Sequence, residues 1–103
     1  MGLINKAIEM YKKTIQVFPN SPDAYNNLGN ILYSLGKLGE AKIYFTKAIE
    51  LRPSFSIAYS NLGCVLRGLG ELNAAELCQR KAIELKSDFA NAYSNLGCVL
   101  RDQ

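Results

Sequence analysis

The three cysteines are the most reactive side chains in this sequence, and their spacing argues against catalysis and metal binding. Cys64, Cys78 and Cys98 lie 14 and 20 residues apart, form no CxxC pair, and have no histidine to join them as a ligand or base. The sequence also lacks a glycine-rich phosphate loop and a nucleophile elbow. We therefore expect no enzyme activity, no metal and no cofactor.

A second set of polar residues recurs at intervals of 34 and could form a binding surface. Helical periodicity places these residues on one face, and they are Asn27, Asn30, Asn61, Cys64, Arg67, Asn95, Cys98 and Arg101, with Asn26, Ser60 and Ser94 beside them. A primary amide both donates and accepts hydrogen bonds, so a row of asparagines could hold a peptide backbone without reading its side chains. The alternative is that these asparagines are polar helix surface or satisfy local backbone groups.

These residues recur because a longer segment recurs. Residues 58–67 and 92–101 share the sequence AYSNLGCVLR, and residues 24–33 read AYNNLGNILY. The apolar residues of each copy are spaced i, i+3, i+4 and i+7, which is one face of a helix. Each copy is therefore an amphipathic helix, and the chain is a repeat array.

The segments between the copies have the same helical period. Proline and glycine divide the chain into six helices, predicted at residues 3–17, 22–35, 38–51, 56–68, 72–85 and 90–101. Gly36 and Gly70 permit the left-handed turn that closes a helix. The residues expected to cap helix N-termini are Asn20 or Ser21, Ser54 and Asp88. The result is an all-α array of antiparallel hairpins.

This 34-residue helix–turn–helix pattern resembles the tetratricopeptide repeat (TPR) family. The signature positions that carry the resemblance are Tyr25, Leu28, Gly29, Ala41, Phe45, Ala48, Pro53, Tyr59, Leu62, Gly63, Ala75, Ala82, Tyr93, Leu96 and Gly97. Gln79 and Ser87 depart from the pattern, since they replace an aromatic residue and a proline.

The resemblance implies a right-handed superhelical array, or α-solenoid, of six helices in one domain. Two full repeats are expected at 22–55 and 56–89. The second helix of a partial repeat precedes them at 3–19, and the first helix of another follows at 90–103.

The three signature glycines lie in the middle of helices, where each costs about 1 kcal/mol relative to alanine. We expect Gly29, Gly63 and Gly97 to allow close approach of a neighbouring helix. The small residues expected to face them are Ala41, Ala48, Ala75 and Ala82.

In TPR proteins the first helix of each pair lines a concave face that receives an extended peptide. The resemblance therefore implies a protein-interaction module, with the recurring polar residues on that face. A similar asparagine ladder occurs in the superhelix of O-linked N-acetylglucosamine transferases. A dicarboxylate clamp for acidic peptides is a weaker match, because Asn26, Asn91 and Asn95 replace its cations. Arg67 and Arg101 lie a turn further along and could serve an acidic ligand, the alternative being that they are solvated helix ends, where a cation suits the helix dipole.

Charge and hydropathy narrow the range of partners. The net charge of +3 is small and both signs are mixed, so we expect no nucleic acid partner. No apolar run is long enough to span a membrane.

Cys64 and Cys98 would be about 8–10 Å apart on stacked helices, which is too far for a disulfide. We expect free thiols in the cytoplasm.

Two other functions remain open. The array could be the repeat segment of a larger enzyme, such as a bacterial glycosyl- or sulfotransferase, or a self-assembling structural spacer. Head-to-tail association is expected because the helix at 3–17 lacks a first-helix partner. The helix at 90–101 leaves apolar positions uncovered on one side, namely Tyr93, Leu96, Gly97 and Leu100.

Overall fold

The computed structural model describes residues 2–103, and this range contains six helices and no strand. The helices are α1 (Gly2–Val17), α2 (Pro22–Ser34), α3 (Leu38–Leu51), α4 (Ser56–Gly68), α5 (Leu72–Leu85) and α6 (Ala90–Asp102). Every predicted boundary lies within one residue of the observed one. The predicted all-α array is therefore confirmed.

Glycine closes α2 and α4 as expected. Gly36 has φ of 78° and Gly70 has φ of 80°, the left-handed region that side chains with a Cβ rarely adopt. After α2, the Lys37 amide donates to the Leu32 carbonyl and the Gly36 amide donates to the Tyr33 carbonyl, both at 2.9 Å. This bonding pattern is a Schellman motif, and it satisfies carbonyls that would otherwise end the helix unpaired.

Only one of the predicted N-cap residues caps its helix in the structure. Ser21 caps α2, since its hydroxyl accepts a hydrogen bond from the amide three residues later at 3.4 Å. The predicted caps Ser54 and Asp88 are wrong, because the cap residues of α4 and α6 are Phe55 and Phe89, neither of which makes a side-chain cap bond. Phe55 is half-buried and packs against a buried core cluster, so the entry into α4 has an apolar contact in place of a polar cap.

The helices pack in sequence order. α2 pairs with α3 and α4 with α5, while α3 also packs on α4, α5 on α6, and α1 on α2. We call α2, α4 and α6 the first helices, and these also contact one another in succession. The core runs through the array as a series of buried clusters, whose largest fully buried side chains are Phe45, Leu28, Gln79, Val65 and Val99.

The signature glycines make room for side chains, which corrects the prediction that alanines face them. A Cβ built on Gly29 would lie 2.8 Å from the ring of Phe45, and one on Gly63 would lie 2.9 Å from Cδ of Gln79. Gly97 has no such neighbour within 4 Å. The four alanines are fully buried but are not the glycines' nearest neighbours: Ala41, Ala48, Ala75 and Ala82.

Candidate functional site

The polar residues predicted as a binding surface lie on the three neighbouring first helices. We call the surface that carries Asn27, Asn61 and Asn95 the first-helix face. Seven of the eight predicted residues are half-buried, namely Asn27, Asn30, Asn61, Cys64, Arg67, Asn95 and Cys98. Arg101 is exposed. Partial burial leaves each of them part of its surface for a ligand.

Two of the asparagines also connect successive first helices. Asn61 Nδ2 donates to Oδ1 of Asn26 at 3.1 Å, and Asn95 Nδ2 donates to Oγ of Ser60 at 3.1 Å. Both acceptors are buried. Asn27 lies on the earliest first helix, so no preceding first helix within the described residues offers it a partner. The amides of Asn61 and Asn95 therefore have a structural role that neither sequence-based interpretation included.

A buried amide extends this network beneath the surface. Ser60 Oγ donates to Oε1 of Gln79 at 2.8 Å, and Gln79 Nε2 donates back to the Ser60 carbonyl at 2.9 Å. Because Gln79 is fully buried, its amide needs these partners to offset the loss of water. Within residues 2–103, no buried side-chain nitrogen or oxygen lacks a hydrogen-bond partner. The hydrogen bonds thus run from Asn95 through Ser60 to Gln79.

Gln79 is a member of this network that was not predicted as a site residue, because in the sequence it stands out only as a departure from the family signature. The signal was available, because the equivalent positions 34 residues apart hold Tyr11 and Phe45. A single polar residue at a position that is otherwise aromatic and buried must find hydrogen-bond partners in the core.

The three cysteines are free thiols, and each is half-buried. Burial raises the pKa of Cys78 to about 11. Burial also raises the pKa of Cys64, against the opposing effect of Gln79, whose Nε2 lies 3.9 Å from Sγ. Both thiols are therefore protonated, and poor nucleophiles, at neutral pH.

A pocket of about 370 Å³ opens across the first helices above Gln79. It brings together three predicted site residues, Cys64, Arg67 and Asn95, and its other lining residues are Tyr33, Gly68, Gln79, Val99 and Asp102. The remaining predicted residues lie outside it: Asn27, Asn30, Asn61, Cys98 and Arg101. The pocket is thus one part of the surface that the sequence predicted.

An ion pair lies at the edge of this pocket. Arg67 Nε donates to Oδ2 of Asp102 at 2.5 Å, and this hydrogen bond lowers the pKa of the Asp102 carboxyl. Arg101 Nε lies 3.7 Å from the other carboxylate oxygen, which is a looser contact. Arg67, one of the two cations that could bind an acidic ligand, is therefore already paired with Asp102.

No group of three or more histidine, cysteine, aspartate or glutamate side chains in residues 2–103 could hold a metal ion. None of the six helices combines the length and the apolar character needed to cross a membrane.

Sequence models of one repeat family match most of the chain. A model described as tetratricopeptide repeat matches residues 22–55, a second with that description matches 44–76, and a TPR repeat model matches 1–36. Together these matches span residues 1–76 without a gap. No curated protein matches the sequence at a significant level.

Solved structures extend the similarity to nearly the whole chain. The first TPR of Spaghetti (RPAP3), bound to the HSP90 peptide SRMEEVD, is 25% identical with a TM-score of 0.94, and the match covers 98% of this chain and 80% of that one. MamA is 32% identical with a TM-score of 0.91, covering 98% of this chain and 59% of MamA. A Thermobaculum terrenum O-GlcNAc transferase mutant is 26% identical with a TM-score of 0.90, covering 94% of this chain but 19% of the transferase.

Proposed function

Because the chain belongs to the tetratricopeptide repeat family, we propose that it is a protein-interaction module that binds an extended segment of a partner protein. We place the binding site on the first-helix face, because the first helices line the concave groove in TPR proteins. The observation that carries the proposal is the register of Asn27, Asn61 and Asn95, which place one amide on each of three neighbouring first helices.

Simple geometry supports an extended ligand. Packed helices lie about 8–10 Å apart, and an extended peptide rises about 3.3 Å per residue, so one repeat spans about three ligand residues. Asn61 and Asn95 each use one N–H to join neighbouring helices, which leaves the carbonyl oxygen and a second N–H of each amide. One donor and one acceptor per repeat match the groups that a peptide backbone offers.

The charges around the pocket favour backbone recognition over an acidic anchor. A ligand carboxylate would have to displace Asp102 from Arg67, because that ion pair is already formed. The solved relative RPAP3 binds the acidic peptide SRMEEVD. In this chain, by contrast, the family resemblance puts Asn26, Asn91 and Asn95 where a clamp would have cations. We therefore propose weak sequence preference and modest dependence on salt.

Peptides selected from a random library against the 103-residue chain test the proposal. Replacing both Asn61 and Asn95 with alanine should weaken every selected peptide by a similar factor. Replacing Arg67 and Arg101 with glutamine should have little effect. A loss confined to acidic peptides in the arginine variant, with none in the asparagine variant, would contradict backbone recognition and support a clamp.

We propose that the array itself is not catalytic and acts on neither nucleic acid nor membrane. The mixed charges on its second helices support this, for example in the pairs Arg80–Glu76 and Lys81–Glu84. The free thiols suit a reducing compartment, and we propose the cytoplasm.

A second candidate function is that of a repeat segment within a larger enzyme. The similarity to the O-GlcNAc transferase favours it, since the matched region is 19% of that protein. The chain likewise spans 59% of MamA. Sequencing the gene on both sides of this segment tests the alternative: an adjoining catalytic domain would support it, and its absence would exclude it.

A further inference from the structure

The ion pair that lines the pocket keeps hydrogen-bonding groups that backbone recognition does not use. Arg67 of α4 donates from Nε to Oδ2 of Asp102 on α6. Among residues 2–103 this is the only side-chain hydrogen bond of Arg67, so both of its Nη groups retain their N–H donors. On Asp102, Oδ1 has only the looser contact with Arg101 at 3.7 Å. The pair therefore retains several donors and one acceptor.

The pocket carries no net charge. The charges of Arg67 and Asp102 cancel, and their side chains are 38% and 32% exposed, so a ligand can reach both. Cys64 is a neutral thiol at neutral pH, because burial raises its pKa. Arg101 does not line the pocket, and its side chain is 71% exposed, so solvent screens its charge. The other lining residues are neutral, so the pocket suits a polar but uncharged group.

The ion pair belongs to one interval between first helices and not to the other. Within the described residues it joins α4 to α6. One period earlier, between α2 and α4, Tyr33 stands at the position of Arg67 and Gly68 at the position of Asp102. Neither of these residues can form an ion pair. The pocket therefore distinguishes one position along a bound segment from the position one repeat away.

We propose that this pocket binds a primary amide side chain, that of glutamine or asparagine, from the partner's extended segment. The proposal rests on the proposed function, in which Asn95 holds the backbone of the ligand. Asn95 also lines the pocket, so the side chain of the residue that it holds enters the pocket. The carbonyl oxygen of that side chain accepts from Nη of Arg67, and its NH₂ group donates to Oδ1 of Asp102. The other ligand positions are bound through the backbone.

Of the common side-chain groups, a primary amide alone suits both members of the pair. A ligand carboxylate would be attracted by Arg67 but repelled by Asp102, and a ligand ammonium group would meet the reverse. An aliphatic side chain would cover the donors and the acceptor without replacing the water that they bind. A neutral amide supplies one acceptor and one donor, and both of its hydrogen bonds are made to charged groups, which strengthens them.

Peptides selected from a random library against the 103-residue chain test the proposal. One position of the selected peptides should be enriched in glutamine or asparagine. In one such peptide, that residue is replaced with its isosteric acid, with lysine and with leucine. Each replacement should weaken binding by about tenfold or more, as measured by isothermal titration calorimetry. The acid is the sharpest comparison, because it differs from the amide in charge but hardly in shape.

Asp102→Asn should reverse the preference between amide and acid. The substitution leaves Arg67 without a carboxylate partner, so the acid peptide should bind more tightly than the amide peptide. The matched control is Asp23→Asn, which removes the carboxylate of another exposed pair, with Arg52, outside the pocket. This control should keep the preference for the amide. Arg67→Gln would be a weaker test, because glutamine retains N–H donors.

Three outcomes would overturn the proposal. The selected peptides could carry an acidic or basic residue at this position, they could show no preference there, or the preference for the amide could survive Asp102→Asn. If Asn61→Ala still weakens the same peptides, the proposed function stands and only the side-chain pocket is excluded. If no peptide is selected, or if Asn61→Ala binds every peptide normally, the proposed function fails as well. Circular dichroism establishes that each variant is folded.

Discussion

Gln79 packs its buried amide against Gly63 and takes the place that Phe45 occupies against Gly29 in the preceding helix pair. The amide is held by two hydrogen bonds to Ser60, and Ser60 also accepts a bond from Asn95. One polar substitution in the repeat thus connects the buried core to the proposed binding surface.

The contact between Gly63 and Gln79 predicts a position-specific effect of valine. Gly63→Val should lower the free energy of unfolding by about 1–3 kcal/mol, because overpacking displaces Gln79. Gly97→Val should not lower it, because Gly97 faces open space and valine is the better helix former. Urea denaturation, at a concentration where the chain is monomeric, measures both. Equal losses would contradict the packing described here.

Gln79 itself should tolerate an aromatic residue better than a small one. Gln79→Ala leaves a cavity and removes the bonds to Ser60, and should cost about 1–3 kcal/mol. Gln79→Phe should lower the free energy of unfolding by less, because Phe45 packs against Gly29 at the equivalent position of the preceding helix pair. Thermal and urea unfolding of the two variants give the order. A phenylalanine variant less stable than the alanine variant would show that an aromatic ring does not fit against Gly63, which would contradict the packing described here.

Alanine substitutions of asparagines at equivalent positions should affect the stability of the fold differently but peptide binding alike. Asn61→Ala removes a hydrogen bond between helices and should cost about 0.5–1.5 kcal/mol of stability. Asn27→Ala removes no such bond and should change stability by less than about 0.5 kcal/mol. Both should weaken a selected peptide, as isothermal titration calorimetry would show. Normal binding by Asn27→Ala would mean that the asparagines act only as structural connections.

The pair Arg67–Asp102 should respond to acid in a defined direction. The hydrogen bond from Arg67 lowers the pKa of Asp102 in the folded chain, so the pair stabilises the fold above the ordinary aspartate pKa of about 3.9. That stabilisation is lost as pH falls through the lowered pKa. A double-mutant cycle of Asp102→Asn and Arg67→Gln should show coupling at pH 7 that disappears in acid. Coupling that persists in strong acid would contradict the ion pair.

Most of the fold could be predicted because its determinants are local. Helical periodicity and the residues Pro19, Pro53, Gly36 and Gly70 gave every helix boundary to within one residue. The caps of α4 and α6 could not be predicted from local composition. At α4 the cap residue Phe55 instead makes a tertiary contact, since it packs against a buried core cluster.

The sequence predicts which polar residues share the candidate surface, but it does not predict their hydrogen bonds. The 34-residue period placed Asn61 and Asn95 on one face, but their partners lie on another helix and depend on how closely the helices approach. The Gln79 network required knowledge of which side chain fills the space above Gly63. Sequence periodicity identifies equivalent positions on successive helices. Hydrogen bonds between them depend on interatomic distances, which are set by the packing of the helices.

The central claim is that a peptide binds across the three first helices, and nuclear magnetic resonance tests it most directly. A library-selected peptide is titrated into the ¹⁵N-labelled chain while the side-chain amide signals of Asn27, Asn61 and Asn95 are followed. The account predicts that all three signals shift together and saturate at one peptide per chain. Shifts confined to exposed residues of α3 and α5, such as Ile43 and Leu77, with the asparagine signals unchanged, would contradict it.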